Sequence, residues 1–152
     1  MRHPHLDCLA CLLIPLAIGC GNSGPEEAVV TGLVQIDGQP IDKGSIQMLP
    51  TDGVGSAVSS EIQEGRYRLK IVPGKKRVEI HLGEKKGQIP ARPGEADSPM
   101  IDIIEEAVAP EFNIDSKLEA NVVLPATEAN FETKRLPPGA RPRRPGSTPR
   151  AH

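Results

Sequence analysis

Aromatic residues and cysteines are scarce in this 152-residue chain. Aromatic residues make up 2% of it, as Tyr67, Phe112 and Phe131, and tryptophan is absent. A core must therefore be built from aliphatic side chains, and the aromatic platforms on which single-stranded nucleic acid stacks are missing. The three cysteines all lie within the first 20 residues. A disulfide framework or a cysteine-ligated metal site is therefore excluded from the rest of the chain, and we expect no nucleic-acid partner.

Long apolar runs are also absent. The longest, Cys8–Gly19, is shorter than the roughly 20 residues that a membrane-spanning helix needs. It follows a short polar start and ends in Gly19, directly before Cys20, and this arrangement resembles the bacterial lipobox. The pattern predicts a signal peptide at residues 1–19, cleavage before Cys20, and a lipid on the Cys20 thiol. An ordinary secretory signal with an incidental cysteine is the alternative.

The predicted anchor sets the predicted location. Mature lipoproteins carry two or three acyl chains, which hold the protein at the membrane permanently. Gly21 stands where lipoproteins retained in the inner membrane have Asp. We therefore expect a lipid-anchored protein of the cell envelope, at the outer membrane. Residues 20–27 are small and polar, which predicts a flexible linker.

Charge is distributed unevenly, although the net charge is only −2. The segment 134–152 has basic residues and no acidic one: Lys134, Arg135, Arg141, Arg143, Arg144 and Arg150. Residues 135–152 are also rich in proline and cannot bury apolar area, which predicts a disordered tail. The body of the chain is mildly acidic.

The clearest structural signal is the stretch Glu64–Leu82. Apolar residues alternate with charged ones on both sides of Pro73-Gly74, which is typical of half-buried antiparallel strands joined at a corner. The predicted inward residues are Tyr67, Leu69, Ile71, Val78, Ile80 and Leu82. The predicted outward residues are Arg66, Arg68, Lys70, Arg77 and Glu79.

Turn signals, among them Asp37-Gly38 and Glu64-Gly65, separate further short strands along the chain. They are predicted at 29–36, 45–50, 57–63, 118–124 and 129–134. The segment Gly83–Pro99 has three prolines and no alternation, which predicts a long surface loop. Met100–Val108 fits a strand or an amphipathic helical turn, and we leave both open. About seven strands in one domain, residues 28–134, predict an all-β sandwich.

Three motifs in this order resemble a known family. They are V-T-G-x-V-x-x-D-G-x-P-I at 30–41, G-x-Y-x-L with V-P-G-x-x-x-V-x-I at 65–80, and P-x-F-N-x-x-S-x-L at 110–118. With the lipobox, they are similar to bacterial lipoproteins that have a carboxypeptidase regulatory-like, transthyretin-like domain. The family has an aromatic residue after Pro-Gly, where Lys75-Lys76-Arg77 stands here, which predicts that the strand is less buried at that end. The resemblance implies a seven-stranded Greek-key sandwich that serves as an accessory or structural module, without a settled activity.

No motif predicts an enzyme or a cofactor. One branch of the transthyretin-like fold hydrolyses 5-hydroxyisourate with several histidines and a C-terminal Tyr-Arg-Gly-Ser, whereas this chain ends in Pro-Arg-Ala-His. His81 lies on the predicted outward face of its strand, with Arg77 and Glu79, so we expect a solvated histidine. Glu95, Asp97, Asp102, Glu105 and Glu106 lack the spacing of a calcium loop, so we expect an acidic surface and no metal.

Basic residues are the candidates for contact with a partner. They are Lys85, Lys86, Arg141, Arg143 and Arg144, which could meet an envelope protein, a cell-surface polymer or anionic lipid. The sequence predicts a lipid-anchored, non-enzymatic structural or binding module. The alternative is an accessory domain that presents Gly83–Pro99 to an envelope enzyme or transporter.

Overall fold

The computed structural model describes residues 24–137 and residue 140. The predicted signal peptide, Cys20 and the arginines at 141, 143 and 144 lie outside these residues. Within them the fold is all-β, as predicted, and contains no α-helix. The strands are β1 Ala28–Ile36, β2 Gln39–Pro40, β3 Lys43–Pro50, β4 Val58–Gln63, β5 Arg66–Ile71, β6 Gly74–His81, β7 Gly83–Pro90, β8 Met100–Glu106, β9 Leu118–Val122, β10 Ala126–Glu128 and β11 Phe131–Thr133. A single 3₁₀ turn, Pro110–Phe112, lies between β8 and β9.

Nine of the strands form one curled sheet. Its order is β10-β1-β5-β4-β3-β6-β9, and β2 and β11 also pair with β1. The pairings of β1 with β10 and β11 are parallel, and the others are antiparallel. The Pro73-Gly74 corner joins β5 to β6, which do not pair with each other. The curl of the sheet brings these two strands into one core.

The core is aliphatic, as the composition requires. Five of the six predicted inward residues are buried in the core: Tyr67, Leu69, Ile71, Val78 and Ile80. The sixth, Leu82, is partly buried and packs against it. Val30 of β1 and Ile46 and Met48 of β3 belong to the same core. Tyr67 and Phe131 are its two aromatic members, with ring centroids 6.3 Å apart. Burying each such aliphatic side chain stabilises the fold by about 1.5–3 kcal/mol.

One glycine of β1 is required by the packing. A Cβ on Gly32 would lie 1.8 Å from the backbone oxygen of Ala129. The hydroxyl of Tyr67 donates a hydrogen bond of 2.7 Å to the same oxygen, and the N–H of Ala129 donates to Thr31. Gly32 therefore allows the segment before β11 to close over the sheet.

Two charged residues of β6 are more buried than predicted. Glu79 lies on the outward face, as predicted, but it is only 9% exposed because Arg77 and His81 cover it, with Arg77 Nη2 2.6 Å from Glu79 Oε1. Lys76 has 0% exposure, although a basic cluster suggested a strand less buried at this end. Lys76 shares the inward face with Val78, and its Nζ donates to the Pro73 carbonyl at 3.1 Å.

The prediction of a long surface loop at Gly83–Pro99 is wrong. Gly83–Pro90 is strand β7, and it pairs antiparallel with β8 along seven residue pairs. Only the short connection between Pro90 and Met100 remains irregular. Met100–Val108, which the sequence left open, is a strand from Met100 to Glu106. The two strands form a second, separate sheet, which we call the hairpin.

The register of the strands places the hairpin at one end of the curled sheet. Ala28, where β1 begins, pairs with Ile71 beside the corner that starts β6. β6 then runs for eight residues, roughly 25 Å, to His81, and the hairpin begins two residues later. β11 runs parallel to the end of β1. The hairpin and the exit of the C-terminal segment therefore share the end that lies away from Ala28.

Candidate functional site

The hairpin exposes large apolar side chains. Ile104 is 59% exposed, Met100 53%, Ile101 48% and Ile89 47%. A two-stranded sheet is marginally stable in water by itself, and clustered exposed apolar residues mark interaction surfaces more often than scattered ones do. These four residues make the hairpin the candidate functional site.

Residues directly opposite each other in an antiparallel pair share a face of the sheet. Glu84 opposes Glu105, Gly87 opposes Ile103, and Ile89 opposes Ile101. We call this side the Glu105 face. The other side, the Asp102 face, has the opposed pairs Lys85–Ile104, Gln88–Asp102 and Pro90–Met100. Each face therefore combines apolar residues with acidic ones.

The two lysines predicted to contact a partner lie on β7 and are exposed. Lys85 forms an ion pair of 2.7 Å with Asp102, and Lys86 forms one of 2.9 Å with Glu84. The hydrogen bonds from Lys85 and then Gln88 lower the pKa of Asp102, and those from Lys86 and Arg135 lower the pKa of Glu84. Acidic neighbours thus neutralise both lysines.

A single carboxylate holds the base of the hairpin. Oε1 of Glu106 accepts hydrogen bonds from the backbone N–H groups of Leu82 at 2.8 Å, Ala107 at 3.1 Å and Val108 at 3.1 Å. Its other oxygen lies 3.3 Å from Nδ1 of His81. Charge-assisted bonds of this kind are stronger than neutral ones, and they join the end of β8 to the end of β6.

The predicted solvated His81 lies instead between two carboxylates. Nε2 of His81 is 3.9 Å from Oε2 of Glu79, on the side opposite Glu106. The hydrogen bond with Glu106 raises the pKa of His81; burial opposes this shift, and the charges of Glu106 and Glu79 add to it. Burial raises the pKa of Glu106, but the bonds from His81, Leu82 and Val108 outweigh it, so the net pKa lies below the usual value. Protonated His81 and ionised Glu106 therefore stabilise each other.

A second concave surface surrounds Tyr67. It is an open groove of about 540 Å³, lined by Thr31, Gly32, Leu33, Arg66, Tyr67, Glu128 and Asn130. Burial raises the pKa of the Tyr67 hydroxyl, which already donates to Ala129. Asn130 Oδ1 accepts from the N–H of Leu33 at 2.7 Å. These polar groups are engaged in holding the fold together.

Two observations apply to residues 24–137 and 140 alone. No group of three or more His, Cys, Asp or Glu side chains is arranged to hold a metal ion there. In the same part of the chain, no helix has the length and apolar character needed to cross a bilayer.

Comparison with known proteins gives a distant structural likeness. No protein-family model and no curated protein matches the chain. A crystal structure of a DUF3823 family protein from Parabacteroides merdae aligns with a TM-score of 0.38 and 16% identity. The alignment covers 74% of this chain and 48% of that one, so the chain spans about half the length of this neighbour. A likeness at this level carries no argument about function.

Proposed function

We propose that the protein is a lipid-anchored, non-enzymatic module of the cell envelope that acts in binding or in structure. The supporting observation is the position of the hairpin. The linker that would follow a lipidated Cys20 enters the sheet at Ala28, and the hairpin lies at the other end of β6. A module tethered through this linker would present its exposed apolar residues away from the bilayer.

The proposal includes the finer fold assignment, a Greek-key sandwich of the transthyretin-like or carboxypeptidase regulatory-like type. The main path of the curled sheet has seven strands, the number that the resemblance implies. The motifs at 30–41 and 65–80 fall on β1, β5 and β6, which build the core. A crystal structure in which these strands lie in a different connection order would contradict the assignment.

Metabolic labelling with a fatty-acid probe tests the anchor. The wild-type chain should incorporate the probe and partition with outer membranes on a density gradient. Cys20→Ala should remove the label, whereas Cys11→Ala, the matched control within the predicted signal peptide, should retain it. Unlabelled wild-type protein would refute the lipid anchor.

A second candidate function is an accessory domain for an envelope enzyme or transporter. The exposure of Ile104, Met100 and Ile101 favours it, because a partner that covers them would gain about 25 cal/mol for each Å² of apolar surface buried. Co-purification of the wild type and Ile104→Asp from detergent extracts tests this candidate. A stoichiometric partner that is lost with Ile104→Asp supports it, and a partner retained by this variant argues against the hairpin.

The non-enzymatic part of the proposal has its own test. The purified protein should give no turnover in a screen of glycans and hydrolase substrates. Any turnover that a single substitution abolishes would overturn this assignment, and His81→Gln is the first variant to examine because His81 has a perturbed pKa.

A further inference from the structure

The exposed large apolar side chains of the described residues fall into two groups. One group of four lies on the hairpin. The other consists of Val54, Val123 and Leu124, which are 54%, 50% and 42% exposed. Val54 lies in the connection between β3 and β4, and the other two lie in the connection between β9 and β10. The hairpin therefore accounts for only part of the exposed apolar surface.

The strand register places the connection between β9 and β10 where the chain enters the curled sheet. The N–H of Val29, at the start of β1, donates to the Pro125 carbonyl at 3.1 Å. Val122, at the end of β9, pairs with Gly74, at the start of β6. This connection therefore lies beside the corner between β5 and β6, at the end of the sheet that contains Ala28.

The connection that contains Val54 lies at the same end. The N–H of Thr51 donates to the Lys75 carbonyl at 3.1 Å, one residue after β6 begins. A Cβ on Gly55 would lie 3.3 Å from the side chain of Val72, directly before the same corner. We call the surface formed by Val54, Val123 and Leu124 the entry surface.

The two connections are uncharged and locally fixed. Residues 53–60 and 121–127 contain no charged side chain. Oδ1 of Asp52 accepts a hydrogen bond from the N–H of Val54 at 3.0 Å. Oγ1 of Thr127 accepts one from the N–H of Val123 at 2.9 Å and donates one to the carbonyl of the same residue at 3.2 Å. These backbone groups therefore stay paired if the apolar side chains leave water.

We propose that the entry surface rests on the bilayer, with its three apolar side chains in the interfacial layer. This inference rests on the proposed lipid anchor. The eight residues from Cys20 to Ala28 extend over at most about 29 Å, so the entry surface stays close to the headgroups. Three aliphatic side chains alone bind a bilayer weakly, but a tether supplies them at a high effective concentration. The hairpin then points away from the membrane.

Single-tryptophan fluorescence tests the proposal in the full chain, because the sequence contains no tryptophan. The probe is Leu124→Trp, and its matched control is Ile104→Trp on the hairpin, where the side chain is also exposed. In both proteins, made by cell-free synthesis, Cys8→Ser and Cys11→Ser leave Cys20 as the single thiol. This thiol is coupled to a maleimide lipid in phosphatidylcholine vesicles that have bromine atoms on the upper part of the acyl chains.

The expected result is a difference between the two ends of the molecule. Bromine should quench the tryptophan of Leu124→Trp at least about twofold more than that of Ile104→Trp, because interfacial side chains bury about 5–10 Å into the boundary between headgroups and acyl chains. Emission of Leu124→Trp should shift to shorter wavelength on coupling. Raising the salt concentration to about 1 M should leave the quenching unchanged, because the contact is apolar and not between charges.

Two pairs of substitutions in the Leu124→Trp protein show which side chains matter. Val54→Ser with Val123→Ser should lower the quenching at least about twofold, because both lose apolar surface. Met100→Ser with Ile101→Ser, the matched pair on the hairpin, should leave it unchanged. All four side chains are exposed, so the variants should fold, which far-UV circular dichroism checks. Val54→Trp is a second probe of the same surface.

Three results would overturn the proposal. The first is equal quenching at the two ends of the molecule, and the second is quenching that the serine pair on the entry surface does not lower. The third is a shifted emission of Leu124→Trp that precedes coupling and grows with protein concentration, which would assign the surface to a second copy. The maleimide supplies the tether, so failure here is distinguishable from failure of the labelling test.

Discussion

Glu106 should be the carboxylate on which the attachment of the hairpin depends. Its Oε1 accepts from Leu82, Ala107 and Val108. The N–H of Ala107 also donates to the Leu82 carbonyl at 2.8 Å, so Glu106→Ala leaves the other two N–H groups without this acceptor. A buried N–H that loses its partner costs about 1–3 kcal/mol. Because the Glu106 side chain keeps 24% exposure, we expect Glu106→Ala to lower the free energy of unfolding by about 2–4 kcal/mol.

Urea unfolding followed by far-UV circular dichroism measures this loss, and hydrogen exchange locates it. Exchange should accelerate most in β7 and β8, while the core amides of β5 should change only as much as global stability does. Glu105→Ala is the matched control, since it removes an exposed carboxylate from the adjacent position of β8 and should stay within about 0.5 kcal/mol of wild type. Equal stabilities of the two variants would refute the reasoning.

Three further outcomes follow from single residues. The lowered pKa of Glu106 contributes stability that is present above pH 4.5 and lost as pH falls through its folded pKa; the raised pKa of His81 contributes stability that is complete below pH 6.5 and lost as pH rises through its folded pKa. Melting temperature should therefore be highest between these values, and His81→Gln should remove the decline on the alkaline side; an unchanged decline would contradict this pairing. Gly32→Ala should destabilise by about 3 kcal/mol or more in thermal melts, because its Cβ would meet the Ala129 oxygen, whereas Gly24→Ala, with open space around it, should be neutral. Lys76→Met should unfold within about 1 kcal/mol of wild type or be more stable, because replacing a buried charge by a similar apolar volume removes its desolvation cost; a loss above about 2 kcal/mol would mean that the bond to Pro73 dominates.

Alternation in the sequence predicted the strands that bury one face in the core and expose the other to water. Tyr67, Leu69 and Ile71 are buried while the residues between them are exposed, because a sheet that covers a core on one side imposes a period of two. Asp37 and Glu64 each take positive φ before a glycine, which is the backbone of the turns that Asp-Gly and Glu-Gly predicted. Local chemistry was sufficient for these elements.

The hairpin could not be predicted in the same way. Both of its faces meet water, so apolar and charged residues do not alternate along β7, and a register shift between Lys85 and Gly87 interrupts the period further. Its partner strand begins ten residues after Pro90, and only the fold brings the two together. The available signal was Ile101, Ile103 and Ala107, which fit a strand face only partly, so an amphipathic helical turn remained the alternative.

Lys76 and Glu79 show how residue type can mislead where position does not. Lys76 is two residues before Val78 and four before Ile80, and this parity places it on the inward face despite its charge. Glu79 lies on the outward face, and the neighbours that cover it, Arg77 and His81, are on the same strand. Their ion pairs became visible only when the geometry of β6 was known.

The base of the hairpin connects these observations to the proposed function. Glu106, at the end of the strand that exposes the apolar residues, accepts a hydrogen bond from Leu82, directly after β6, and so fixes where the hairpin leaves the curled sheet. β6 is paired on both sides, with β3 and β9, so the hairpin is attached to an internal strand of the curled sheet. A hairpin attached to an edge strand would be held less firmly, because an edge strand is hydrogen-bonded to a neighbour on one side only. The contact between His81 and Glu106 therefore helps a two-stranded sheet, marginally stable by itself, to keep its direction relative to Ala28, where the proposed anchor would enter the sheet.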